Sequence, residues 1–132
     1  MSMNHAAKRR ILVVEDEMLI AMTIEDILHE YGCEIIGPVA TLDKALKLAE
    51  EGNFEAAILD VTIRGGKVYP VAELLLERGI PFVLASGYGD WALPESLRDK
   101  PRLLKPFTSA ALEEQLRSLH DKAKSPREAA KL

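Results

Sequence analysis

The chain has 132 residues, 48% hydrophobic, 29% charged and 5% aromatic. That suits one soluble domain with an aliphatic core rather than a disordered or membrane-spanning chain. A net charge of −4 excludes a broad electrostatic grip on nucleic acid. The single cysteine, Cys33, excludes an internal disulfide, and no apolar run approaches the length of a membrane span, so a reducing, cytoplasmic setting is expected.

In chain order, residues 1–8 read as a flexible N-terminus. The basic start is followed by only "ILVV", too short for an export core, and Lys8-Arg9-Arg10 reads as a solvated strand entry. The segment "RILVV" (10–14) is the first strand candidate, running straight into Glu15, Asp16 and Glu17. Over 17–31, Ile20, Ile24, Ile27, Leu28 and Tyr31 recur on one helical face, and Gly32 is the expected stop. Cys33, at the entry to the second strand, "EIIGPV" (34–39), reads as a small buried hydrophobe. A helix over 41–51 follows, capped by Thr41 and ended by Gly52.

The segment "AAILDV" (56–61) is the third strand and carries Asp60 at its end. A helix over 67–78 stops at Gly79. The fourth strand, "IPFVLA" (80–85), is followed by Ser86. The stretch 89–99 has Pro94 near its middle, where proline cannot donate a backbone hydrogen bond, so its helix is expected to be short, broken or mobile. The segment "RLL" (102–104) leads into Lys105-Pro106, and a helix over 108–121 starts at a Thr108 or Ser109 cap. Residues 123–132 read as a charged C-terminal tail that frays beyond Ser125-Pro126.

Five strand–helix units in strict alternation predict a doubly wound α/β fold, flavodoxin-like, with a five-stranded parallel sheet of order 2-1-3-4-5 and five helices. Ligands of such sheets sit beyond the carboxyl ends of the strands. That rim collects Glu15, Asp16 and Glu17 from strand 1, Asp60 from strand 3, Ser86 from strand 4 and Lys105 from strand 5. Each has an ordinary role on its own: helix capping for the acids, an Asx-turn for Asp60, a turn at Ser86-Gly87, a surface loop at Lys105. Four ordinary turns would not need to gather acids from neighbouring strands around one cation.

Clustered carboxylates make a hard oxygen site suited to Mg2+, and a carboxylate held there can attack phosphorus. An ammonium group and a hydroxyl can each take an oxygen of the transferring phosphoryl group. His5, His29 and His120 share no ligand spacing, which excludes a zinc site.

The set Glu15-Asp16, Asp60, Ser86 and Lys105-Pro106-Phe107, in this order, resembles the receiver domain (CheY-like) of bacterial two-component response regulators, over residues 9–122. The resemblance implies that Asp60 is the phosphoacceptor, assisted by Lys105 and Ser86. It also implies Mg2+ on Glu15, Asp16, Asp60 and the carbonyl of Thr62, and a cis peptide at Lys105-Pro106. A sensor histidine kinase would be the donor, and the only catalysis would be the domain's own phosphotransfer and autodephosphorylation.

"LASGY" (84–88) with Gly65-Gly66 is similar to the "FATGUY" receiver subgroup, which implies a kinase of the HWE or related type. Arg102 stands where most receivers carry an aromatic switch residue, so that rotamer switch is unavailable here. Arg102, Tyr88 and Trp91 are the candidate partner-face residues. With no DNA-binding module expected after the last helix, the resemblance is to a stand-alone regulator. Such a regulator would be a monomer or phosphorylation-dependent dimer, acting through a downstream protein or as a phosphate sink. A receiver-fold adaptor that works without phosphorylation is the alternative. A haloacid-type phosphatase is disfavoured, because Thr62 replaces the second aspartate that chemistry needs.

Overall fold

Apolar residues facing both ways along one strand need cover on both sides, and the architecture supplies it. A computed structural model describes residues 9–87 and 92–131, with side chains through 121. The main strands are β1 (Arg10–Val14), β2 (Glu34–Val39), β3 (Ala56–Asp60), β4 (Phe82–Ser86) and β5 (Arg102–Leu104). They pair in parallel, with spatial order β2-β1-β3-β4-β5. This is the expected flavodoxin-like order.

The helices are α1 (Met18–Glu30), α2 (Leu42–Glu51), α3 (Tyr69–Glu77) and α4 (Ser109–Lys131). Successive side chains on a strand point to opposite faces, and the core divides accordingly. Leu12, Val14, Ala57, Leu59, Phe82 and Leu84 meet Ala45 and Ala49 of α2 and Val71, Ala72 and Leu75 of α3. Ile11, Val13, Ala56, Ile58 and Val83 meet Ile24, Ile27 and Leu28 of α1 and Leu112, Leu116 and Leu119 of α4. Each such Leu or Ile contributes about 1.5–3 kcal/mol by leaving water.

The helix punctuation follows the residues. Lys44 N donates to Thr41 Oγ1 at 3.3 Å, and Ala111 N donates to Thr108 Oγ1 at 3.0 Å. Gly52 closes α2 in the left-handed region, with φ 64°, a conformation that costs glycine little.

The helices bear out one expectation and correct another. Beside four α-helices, the element between β4 and β5 is short, as expected for 89–99: among the described residues it is a single 3-10 turn, Glu95–Leu97, with Pro94 as its cap residue. Pro94 thus starts a short turn instead of interrupting a longer helix. The last helix does not stop near 121, because α4 runs to Lys131 through a stretch rich in good helix formers (Lys, Ala, Glu). Strand β2 stands apart from the inner strands: none of its residues is fully buried, because it lies at a sheet edge.

Candidate functional site

The carboxyl ends of β1, β3, β4 and β5 converge because the strands are parallel and in register. Asp60 pairs across to Ala85, and Ser86 to Leu104. Lys105 N donates to Ser86 O at 2.7 Å, and Glu15 N donates to Val39 O at 2.9 Å, so backbone bonds fix where both side chains begin. The Lys105-Pro106 peptide is cis, as is Gly37-Pro38.

One ammonium group joins the acids. Lys105 Nζ lies 3.0 Å from Asp60 Oδ2, 3.1 Å from Glu15 Oε1 and 3.2 Å from Glu17 Oε1. The first two acids are buried, Glu15 at 3% and Asp60 at 5% exposure, whereas the Glu17 side chain is 62% exposed. Glu17 N donates to Glu15 Oε2 at 3.0 Å.

Burial pushes the Asp60 carboxyl up to about 7, helped by its hydrogen bond with Glu15 and the Glu15 charge, against the lowering pull of Lys105. For Lys105 burial works against the ammonium form. Its bonds to Asp60 and Glu15, and their charges, outweigh that and hold its pKa above the usual value.

Glu15, Asp16 and Asp60 each offer an oxygen, all within 4.8 Å of one another. At that separation two carboxylates repel by about 3–4 kcal/mol at an effective dielectric near 20, and one lysine does not fully neutralise three acids. Glu15 Oε1 is buried and makes no hydrogen bond, only its ion pair with Lys105. An all-oxygen, charge-excess cluster that includes a buried oxygen without a hydrogen bond fits a hard divalent cation such as Mg2+.

Ser86 is buried at the end of β4. Thr62, two residues past Asp60, is exposed in a small hairpin (Thr62–Ile63 with Gly66–Lys67), where its Oγ1 accepts from Lys67 Nζ at 2.8 Å. Arg102 is exposed on β5. Tyr88 and Trp91 lie outside the described residues.

Among the described residues the acidic cluster is the one group of potential metal-binding side chains, and His29 and His120 stand apart from it. A cavity of about 420 Å3, lined in part by Arg9, Cys33 and Leu116, opens at the opposite end of the sheet and has no part in this chemistry. Burial pushes the Cys33 thiol up, with Glu55 adding to the rise and Arg9 opposing it.

What the sequence did not reveal is the role of Glu17. Three adjacent acids were visible, but not that the third crosses to Lys105.

No family model matches the chain. It is similar to the transcriptional regulatory protein PdtaR of Mycobacterium tuberculosis, with 33% identity over 111 residues, covering 81% of this chain and 54% of PdtaR. It is also similar to the phyllosphere-induced regulator PhyR of Methylorubrum extorquens, with 33% identity, covering 76% of this chain and 39% of PhyR. The chain thus spans about half, or less, of the length of these curated relatives. Among solved structures, SdrG from Sphingomonas melonis Fr1 superposes with a TM-score of 0.75 at 47% identity, covering 86% of this chain and 98% of SdrG. A signal receiver domain from Vibrio parahaemolyticus superposes at 0.80 with 20% identity, covering 93% of this chain and 98% of that one, a likeness of fold.

Proposed function

The chain belongs to the response regulator receiver domains, and from that premise we propose that it accepts a phosphoryl group on Asp60 in a Mg2+-dependent reaction. The observation that carries the proposal is Lys105 Nζ at 3.0 Å from Asp60 Oδ2, with two further carboxylates gathered beside Asp60.

The donor is the phosphohistidine of a sensor histidine kinase. An Asp60 oxygen forms a bond to phosphorus as the histidine nitrogen–phosphorus bond breaks, and the imidazole leaves with the bonding pair. Lys105 neutralises one equatorial oxygen, and the Ser86 hydroxyl donates to another. Glu15, Asp16, Asp60 and the Thr62 carbonyl would hold the metal. When bound, the ion supplies positive charge that balances the clustered acids and the transferring group. Phosphorylation takes only the ionised form of Asp60, so proton and phosphoryl group compete for the same oxygen.

The "LASGY" stretch with Gly65-Gly66 supports placement in the FATGUY subgroup and a kinase of the HWE or related type. A structure of SdrG, 46% identical, is described as its BeF3-activated conformation, and the same reagent suits this chain. The signal leaves by protein–protein contact, with Arg102 on the exposed strand face, or the domain drains phosphoryl groups from another regulator.

The test is labelling by phosphoramidate or a phospho-kinase with Mg2+. Wild type acquires a base-labile adduct and Asp60→Asn does not. Equal labelling of the two would refute the assignment. Partner binding that beryllofluoride leaves unchanged would instead support the adaptor reading.

A further inference from the structure

Glu17 occupies the cap position before α1, yet its carboxylate makes no capping hydrogen bond, and the first turn of α1 carries no acid. A negative side chain at that place is drawn to its own helix N-terminus. Instead Glu17 Oε1 reaches across to Lys105 Nζ at 3.2 Å. Its backbone N–H is held by Glu15 Oε2 at 3.0 Å, which sets where that reach begins. The two buried acids on Lys105 belong to the proposed reaction centre. The third is 62% exposed and free to swing into water.

From this geometry, and resting on the proposed function, we infer that Glu17 is a positioning residue that holds Lys105 in the unphosphorylated state and must release it when the phosphoryl group arrives. A phosphoryl group on Asp60 brings negative oxygens to the place from which Lys105 is now held. Lys105 has three donors and already spends them on Glu15, Asp60 and Glu17. Of these partners Glu17 is the one whose departure costs least, because its carboxylate rehydrates on leaving. Glu17 therefore competes with the incoming group for one cation, slowing phosphorylation and coupling the first turn of α1 to the state of Asp60.

The experiment compares wild type with Glu17→Gln, using phosphoramidate as donor at saturating Mg2+. An Asp60 oxygen–phosphorus bond forms as the phosphorus–nitrogen bond breaks and ammonia leaves. Glu17→Gln is phosphorylated about two- to fivefold faster at low ionic strength, the scale of one exposed ion pair. The gain fades in high salt as the exposed charge is screened. In parallel, the 15N resonance of Lys105 Nζ differs between the two proteins without phosphoryl group and coincides once both carry beryllofluoride, a readout that altered helix capping alone would not produce.

Equal rates at low salt, a gain undiminished at high salt, or identical Lys105 resonances in the unmodified proteins would each overturn the inference. The resonance comparison of the unmodified proteins needs no phosphorylation, so absence of a phosphoryl adduct on wild type would remove the Asp60 assignment while leaving Glu17 still tested.

Discussion

Lys105 carries the charge balance of the site. With it present, two buried carboxylates and one exposed one share a cation. With it gone, Glu15 and Asp60 remain buried and face each other. The substitution Lys105→Ala is therefore expected to destabilise the metal-free protein by about 2–3 kcal/mol at pH 8, at or below the lower end of what breaking a buried ion pair costs. The figure stays low because Asp60, already pushed up to about 7, takes up a proton in place of its lost partner. At pH 5 that proton is bound before any mutation, and the cost shrinks to under about 1 kcal/mol. Urea denaturation of both proteins at the two pH values measures the difference. A cost equal at both would mean that Lys105 acts through packing and not through charge.

At the scale of elements, the site depends on how β2 is held against β1. Register slips between Leu12 and Val14 opposite β2, and Gly37 sits there with φ 102°. A Cβ at Gly37 would lie 2.9 Å from both Val13 O and Val39 N, backbone atoms that cannot step aside. Gly37→Ala thus combines a disfavoured φ with two clashes and is expected to cost about 2–4 kcal/mol. Two residues on, Val39 O accepts from Glu15 N. The same substitution should therefore also weaken Mg2+ binding several-fold in protein that remains folded, read by titrating Mg2+ into the folded fraction below the unfolding midpoint.

Much of this level was legible in advance. Continuous apolar runs revealed the buried strands, and the strand-end rule located Glu15, Asp16, Asp60, Ser86 and Lys105 on one rim. Pro94 foretold a short element over 89–99, found as the 3-10 turn Glu95–Leu97, but the bulge at Gly37 was not legible, because it arises from how neighbouring backbones fit and not from periodicity. The Glu17–Lys105 pair was hidden for a related reason. Which way a long side chain turns is decided by rotamers and by charges brought from 88 residues away in the chain.

For the whole molecule, the raised pKa of Asp60 becomes a statement about stability. A domain of this kind is held by only about 5–15 kcal/mol. The unfolded Asp60 has a pKa near the ordinary 3.8 and the folded one about 7, so the folded state binds the proton more tightly. The contribution of Asp60 to stability is then fully present below about pH 4 and falls as pH rises from about 4 to about 7. Above that it levels off, with a total loss of up to about 4 kcal/mol. This is opposite in sign to a carboxylate stabilised by a salt bridge alone, because burial and the neighbouring Glu15 outweigh Lys105.

Mg2+ binds the ionised cluster and not the protonated one, so it stabilises most where the proton is absent. The expected outcome is a melting temperature in EDTA that falls between pH 5 and pH 8 by about 5–15 °C, taking each kcal/mol as roughly 4 °C at this size. Millimolar Mg2+ should restore most of that loss at pH 8 and little of it at pH 5. Asp60→Asn, which cannot ionise, should melt at a temperature nearly independent of pH over this range and respond weakly to Mg2+. Thermal unfolding of both proteins across the four conditions decides it. A wild-type slope retained in Asp60→Asn would place the titrating group elsewhere, and a Mg2+ effect equal at both pH values would mean that metal and proton do not compete for this cluster.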